Sequence, residues 1–143
     1  MKNNYKKTDE KEIIGQAIKD KVPPDLALLT YVSNLLGMIS KLALHGGGNS
    51  SVKLSNGTFF IKGSGADLAK IQTSDFVELN LHELLKLRSQ NSLSEKQMIH
   101  KLKKAKIDPE DRNPSVESFF HAFLPHKYIV HTHANAILAL TNQ

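Results

Sequence analysis

The sequence predicts an α/β fold in which helices cover a central sheet. Segments with the helical period of apolar residues and short strand-like runs occur in mixed order along the chain, which is typical of this class. The clearest local pattern is Asn56-Gly57 between the alternating runs "SVKL" and "TFFIK", and it predicts a tight β-hairpin. The 143 residues correspond in size to one ordinary domain.

The N-terminal segment is predicted to be a polar arm. Residues 1–24 are polar and rich in lysine, and we expect them to be frayed or to hold one short helix at "DEKEIIGQAIKD". Pro23-Pro24 mark the end of the arm, because proline punctuates regular structure. The folded domain is therefore expected to cover residues 25–143.

This domain is predicted to begin with a helix. Asp25 can cap a helix that runs to about Leu36, and Gly37 fits its C-cap. The apolar run Leu42–Leu44 then predicts a short strand that leads into three consecutive glycines. Since glycine loses more backbone freedom on folding than any other residue, Gly46–Gly48 must have a specific use.

The second half of the chain is predicted to contain further strands and helices. Phe76–Leu81 predicts a strand, followed by a helix to about Arg88 and another within residues 94–105. Asn113-Pro114 is expected to open the next helix, because asparagine caps helices and proline is favoured at the first helical position. A strand at "KYIVHTH" and a helix from Ala134 complete the prediction. The residues that the helix after Pro114 is expected to bury are Val116, Phe119, Phe120 and Phe123.

The composition excludes several classes of function. The absence of cysteine rules out disulfides and thiolate metal sites and fits a reducing cytoplasm. No segment has the ~18 consecutive apolar residues of a membrane span, and the N-terminus lacks a secretory signal. The net charge is +5, but the lysines within residues 101–106 have no interleaved aromatic residue. We therefore expect a solvated helix face rather than a nucleic-acid or membrane partner, and an anionic small substrate also suits a basic protein.

His131 and His133 are candidates for metal ligands. They lie two residues apart on a predicted strand, so both side chains leave the same face. The alternative is a surface His-x-His pair that occurs by coincidence, although the preceding apolar run "YIV" favours a preformed site at the edge of the sheet. A catalytic zinc site needs three protein ligands and an open position. Glu117 is a candidate for a further ligand or for a catalytic carboxylate nearby.

Ser115 is a candidate for anion binding. The predicted helix after Pro114 places this serine in the first turn, where free N–H groups and the helix dipole favour an anion. The alternative is that "PSVE" is a capping sequence and nothing more.

The two glycine-rich loops lack the complete motifs of other enzyme classes. "HGGG" is similar to the oxyanion-hole segment of lipases, but the chain has no Gly-x-Ser-x-Gly nucleophile. Gly63-Ser64-Gly65 lacks the third glycine of a dinucleotide fingerprint, and no phosphate-loop lysine follows it. Each loop is predicted to end a strand, so its N–H groups could cradle a phosphate.

Taken together, these motifs resemble those of the class II aldolase/adducin family. The marks of the family stand here as "GNSSVK" from Gly48, "GSG" from Gly63, "PSVE" from Pro114 and "HTH" from His131, in the family's order. The resemblance covers roughly residues 26–143. The longer sequence segments around these motifs are most similar to the aldolase part of bifunctional rhamnulose-1-phosphate aldolase/lactaldehyde dehydrogenases. It implies a layered fold with a central mixed or antiparallel sheet flanked by helices.

The resemblance implies a phosphate site for a sugar phosphate such as a ketose 1-phosphate. The glycines would let the backbone and Asn49 approach the phosphate closely, which side chains would prevent. Some family members carry a second serine where this chain has Val116, so one phosphate contact differs here. The residues that would hold the phosphate are Asn49, Ser64, Gly65 and Ser115.

The resemblance also implies zinc-dependent aldol cleavage. Zinc held by His131 and His133 would polarise the substrate carbonyl and stabilise the enediolate left when the carbon–carbon bond breaks. Glu117 would act as the acid/base at that enediolate. The family has a third zinc histidine well downstream of the His-x-His pair. This third histidine is absent from the sequence given. We therefore expect a fragment that lacks its C-terminal part, binds zinc weakly and is inactive alone, whereas the complete protein is expected to be a homo-oligomer.

Two other functions stay open at this point. The chain could be a non-catalytic assembly module of the adducin type, or a sugar-phosphate epimerase or dehydratase that shares the zinc and phosphate motifs. The presence of Glu117, His131 and His133 argues against the first, since a scaffold does not need two strand histidines beside an acid. Nothing in these residues excludes the second.

Overall fold

The computed structural model describes residues 4–43, 47–89 and 92–141. These fall into two compact units: the first comprises Met1–Gly48, Gly65–Thr73 and Val130–Gln143, and the second comprises Asn49–Ser64 and Ser74–Ile129. The helices are α1 (Lys7–Lys19), α2 (Pro24–Gly37), α3 (Leu81–Leu85), α4 (Glu95–Ala105), α5 (Ser118–Phe123) and α6 (Asn135–Thr141). The strands are β1 (Asn49–Lys53), β2 (Thr58–Lys62), β3 (Phe76–Asn80) and β4 (Tyr128–His131).

The four strands form one sheet in the order β3-β2-β1-β4. Strand β2 pairs antiparallel with both β1 and β3, and Val52 lies opposite Phe60 in the first of these pairs. The predicted hairpin is confirmed: the N–H of Leu54 donates to the carbonyl of Thr58 at 2.9 Å and closes the loop. The α/β class with helices around a central sheet is therefore confirmed as well.

The core of the second unit lies on one face of the sheet. Phe59 and Ile61 of β2 face this core together with their cross-strand partners Leu79 and Val77 of β3, as the two-residue period of a strand requires. Helices α3, α4 and α5 cover the face through the buried side chains of Leu84, Leu102, Ala105, Phe119 and Ala122.

The first unit is built around helices α1 and α2. The hydroxyl of Tyr31 on α2 donates to Asp9 Oδ2 on α1 at 3.0 Å. The side-chain amide of Asn34 donates to the carbonyls of Leu68 and Ile71 at 3.0 and 3.1 Å. These bonds tie the connection that follows Gly65 to helix α2. Of the helices described, none is long and apolar enough to cross a membrane.

Two expectations for the region around α2 are wrong. Helix α2 begins at Pro24, with Pro23 at its N-cap and no side-chain cap bond, so Asp25 lies inside the first turn. Proline already has the backbone angle of a helix, which explains the earlier start. The run Leu42–Leu44 is not a strand where it is described, because the N–H groups of Leu42 and Ala43 both donate to the carbonyl of Ile39 in a turn. Leu44, together with His45 and Gly46, lies outside the described residues.

The helix expected after Asn113-Pro114 begins later than predicted. Helix α5 starts at Ser118, because Pro114 forms an isolated antiparallel bridge with Gly63 and the Ser64 N–H donates to the carbonyl of Asn113 at 2.8 Å. These contacts hold residues 113 and 114 in an extended conformation. The buried face of the helix changes accordingly: Val116 and Phe120 are 47% and 55% exposed, and Ser118, Phe119, His121 and Ala122 are buried.

Gly37 at the end of α2 provides a test of this packing. A Cβ atom there would lie 2.2 Å from the backbone nitrogen of Ala69, whereas a Cβ atom on Gly15 of α1 would meet nothing within 4 Å. We expect Gly37→Ala to lower the free energy of unfolding by about 1–3 kcal/mol through overpacking. The control Gly15→Ala should raise it by roughly 0.5–1 kcal/mol, since alanine is the better helix former. Urea unfolding followed by circular dichroism measures both, and equal stability of the two variants would contradict the packing described.

Candidate functional site

Gly48 shows why a glycine must precede strand β1. Its φ angle is +84°, a backbone conformation that other residues rarely adopt, and a Cβ atom there would lie 2.5 Å from the carbonyl oxygen of His131. The same atom would come within 3.2 Å of Leu68 Cδ1. The structure therefore adds a use that the sequence did not reveal: Gly48 allows the main chain to lie directly against the end of the strand that carries His131.

Asn49 contacts two other predicted site residues in the second unit. It is 4% exposed, and its side-chain amide donates to Ser115 Oγ at 3.2 Å and to the carboxylate of Glu117. The N–H of Glu117 also donates to Ser115 Oγ at 3.3 Å. The start of β1 thus holds a serine hydroxyl and a carboxylate side by side.

The orientation of the Asn49 amide follows from this contact. A carboxylate only accepts hydrogen bonds, so the nitrogen of the amide must point at Glu117 and the oxygen must point away. Asn49 Oδ1 is buried and has no hydrogen-bond partner within the part of the chain that is described. An unsatisfied buried acceptor costs about 1–3 kcal/mol, which a donor on a ligand would recover.

Ser64 and Ser115 line one cavity. The cavity has a volume of about 260 Å³, and its other polar lining residues are Asn113 and Lys103. The bond from the Ser64 N–H to the Asn113 carbonyl aligns the two loops that carry the serines. Two of the predicted phosphate ligands are therefore together. Gly65, with a φ angle of +80°, follows Ser64 directly but belongs to the first unit.

His131 and His133 converge within the first unit. His131 is the last residue of β4 and His133 lies two residues beyond it, and their Nε2 atoms are 2.9 Å apart. At that distance one ring can donate its Nε2–H to the Nε2 lone pair of the other, or both lone pairs can point at one cation. The two ring nitrogens are therefore close enough to bind one metal ion together.

A buried contact that the sequence analysis missed links β1 to α5. Ser51 Oγ and His121 Nδ1 are 2.8 Å apart, and both residues are 0% exposed. Lys53, two residues further on the same side of the strand, donates from Nζ to the carbonyl of Leu124 at the end of α5. Partial burial lowers the pKa of the Lys53 ammonium. The spacing of Asn49, Ser51 and Lys53 by two was the signal available in the sequence.

These polar contacts hold Glu117 from both sides. The N–H of His121 donates to the main-chain carbonyl of Glu117 at 3.1 Å, and Asn49 holds the side chain of the same residue. Since Ser51 fixes His121, strand β1 positions the acid through two independent links. A fixed carboxylate beside a hydroxyl is an arrangement suited to proton transfer.

Comparison with known proteins identifies the family to which this arrangement belongs. The profile of the class II aldolase and adducin N-terminal domain matches residues 27–143. This chain belongs to the class II aldolase/adducin family. The N-terminal class II aldolase domain of a conserved protein from Thermoplasma acidophilum is 32% identical, with a TM-score of 0.81 over 100% of this chain and 65% of that chain.

Two further similar proteins show how much of each chain is shared. The protein named uncharacterized oxidoreductase YuxG, from Bacillus subtilis strain 168, is 34% identical over 127 residues. The match spans 83% of this chain but only 18% of the length of YuxG. An aldolase II superfamily protein from Pseudomonas syringae shares the fold, with a TM-score of 0.53 over 87% of this chain and 46% of that chain at 14% identity.

The Ser51–His121 contact can be tested through stability. Ser51→Ala leaves a buried ring nitrogen of His121 without the hydroxyl, and we expect a loss of about 1–2 kcal/mol in the free energy of unfolding. The control is Ser55→Ala in the exposed hairpin loop, for which we expect a change within about 0.5 kcal/mol. Urea denaturation gives both values. A Ser51→Ala protein as stable as the control would show that the contact does not hold α5 in place.

Proposed function

We propose that this domain belongs to a zinc-dependent class II aldolase that cleaves a phosphorylated ketose. The observation that carries the proposal is the buried amide of Asn49, which gathers Ser115 and Glu117 at the start of β1. Breaking or making a carbon–carbon bond next to a carbonyl requires an acid/base group. A carboxylate fixed in this way can be that group in a member of this family. The chain spans only part of its relatives, so the activity proposed is that of the longer protein.

The phosphate end of the substrate is assigned to the two loops that meet at the cavity. Ser64 and Ser115 offer hydroxyl donors there, and we assign the main chain at Gly65 to the same group. Asn49 already gives amide protons to Ser115 and Glu117, so its first contribution is to orient Ser115. A direct contact of Asn49 with the phosphate would use one of those protons.

The residues present fit a metal. The imidazoles of His131 and His133 lie together in the first unit, and zinc commonly takes nitrogen ligands of this kind. Bound zinc would supply Lewis-acid polarisation of the substrate carbonyl. We assign His131 and His133 as ligands because their Nε2 atoms already converge.

Glu117 is assigned to proton transfer. Its carboxylate accepts a hydrogen bond from the Asn49 amide, which fixes the orientation of the group. A carboxylate in this role would take a proton from the substrate hydroxyl during cleavage and return one to the carbon atom of the resulting enediolate. Holding the carboxylate in one orientation lowers the cost of reaching the reactive geometry.

A family enzyme with different chemistry is the second proposal. A sugar-phosphate epimerase or dehydratase would use the same phosphate and metal residues. YgbL from Klebsiella pneumoniae, which is named with aldolase, epimerase and decarboxylase activities as options, has the same fold at 22% identity and a TM-score of 0.52. A non-catalytic adducin-like module is disfavoured, because it has no use for a fixed acid and a converging histidine pair. We also propose a cytoplasmic, homo-oligomeric protein with similarity to the bifunctional rhamnulose-1-phosphate aldolases.

Zinc binding tests the assignment of the histidines. In a calorimetric zinc titration of the chain, His131→Ala and His133→Ala should each weaken binding by more than about tenfold, since each removes one of few protein ligands. The control is His126→Ala, an exposed histidine outside this donor set, which should bind zinc as the unchanged chain does. Loss of zinc in the control, or its retention in both test variants, would contradict the assignment.

Turnover tests the role of Glu117. In the longer protein that contains this domain, Glu117→Gln should lower retro-aldol cleavage of ketose 1-phosphates by about 10²–10⁴-fold, the range typical of general acid–base groups. Glu110→Gln, in an exposed loop of the same unit, is the matched control and should leave the rate unchanged. Near-normal cleavage by the Glu117 variant would mean that another group carries the proton.

A further inference from the structure

The cavity shared by Ser64 and Ser115 has one cationic side chain in its lining. This is Lys103 on helix α4, while the rest of the lining comprises neutral residues. Serine hydroxyls and main-chain N–H groups can donate hydrogen bonds to an anion but supply no formal positive charge. A phosphate group carries about two negative charges near neutral pH. Lys103 is therefore placed to compensate the negative charge of a phosphate bound in this cavity.

The fold holds Lys103 at this cavity through its neighbours. Helix α4 starts with a capping box in which Ser94 and Gln97 exchange hydrogen bonds. Leu102 and Ala105 are each 2% exposed and belong to the core of the second unit. Because Lys103 directly follows the buried Leu102, its main chain has little freedom to move away from the cavity.

Three nearby basic side chains of this unit have different surroundings. Arg112 forms an ion pair with Asp75 at 2.8 Å, and Lys106 donates from Nζ to the carbonyl of Asp111. Lys104 lies next to Lys103 on the exposed surface but does not line the cavity. Within the ranges that the structure describes, Lys103 takes part in no ion pair. Its ammonium group therefore needs no rearrangement of another pair to meet a ligand.

We propose that Lys103 is the cationic contact for the anionic group of the substrate in the cavity lined by Ser64, Asn113 and Ser115. The proposal rests on the function proposed above and extends it by adding a residue that selects for the charge of the substrate. A lysine in this position favours a phosphorylated ligand over the neutral sugar and acts over a short range, because salt screens charges beyond about 10 Å at 0.1 M ionic strength.

Binding of inorganic phosphate to the 143-residue chain tests this proposal. Phosphate is titrated into the unchanged chain and into Lys103→Met, Lys103→Arg and Lys104→Met, and amide shifts in NMR spectra give the dissociation constants. Removing a partly exposed cationic contact should weaken phosphate binding by about fivefold in Lys103→Met. Lys103→Arg should stay near the original affinity, and Lys104→Met should change it by less than about twofold. The difference between Lys103→Met and the unchanged chain should shrink in high salt.

Ser115→Ala separates the failure of this proposal from the failure of the proposed function. If Ser115→Ala weakens phosphate binding and Lys103→Met does not, the anion site stands and the assignment of Lys103 is wrong. If Lys103→Met and Lys104→Met lose phosphate affinity equally, the loss reflects only the change in net charge. That result would also overturn the assignment. If the unchanged chain shifts no amide near Ser64 or Ser115 with phosphate, the proposed function and the role of Lys103 both fall.

Discussion

The buried amide of Asn49 is the interaction on which the site of the second unit depends. It connects the first residue of β1 to Ser115 and Glu117, more than 60 positions away in sequence. Removing it would leave a serine hydroxyl and a carboxylate without the donor that orients them. Since an unpaired buried polar group costs more than its bond contributes, the contact specifies one arrangement of the 113–117 segment.

The rest of the unit is arranged to keep that contact in place. The hairpin and β3 give β1 a fixed register, and the bridge between Gly63 and Pro114 aligns the segment that leads to Ser115. Ser51 and His121 fasten the helix that follows Glu117. The apolar core on β2 and β3 stabilises the unit. The polar residues of β1 fix the positions of the side chains at the site. Two hydroxyls and one lysine thus line one cavity, and the carboxylate lies beside one of those hydroxyls.

Local patterns in the sequence predicted most of the fold. The hairpin follows from Asn56-Gly57 between two alternating runs, and strand β3 and helix α4 were also predicted from short segments, where the deciding contacts are local. The start of α5 was wrong because the competing contact, the Gly63–Pro114 bridge, joins distant residues. The use of Gly48 and the Ser51–His121 contact escaped prediction for the same reason. The candidate site residues were proposed from family motifs, and their spacing alone left the alternatives open.

A crystal structure of the chain grown with zinc and inorganic phosphate would test the role of Asn49 together with the proposed ligands. We expect phosphate oxygens about 3 Å from Ser64 and Ser115, with the Asn49 amide still on Glu117. We also expect zinc on the Nε2 atoms of His131 and His133. Phosphate bound elsewhere on the chain, or an Asn49 side chain turned away from both Ser115 and Glu117 when phosphate is bound, would contradict it.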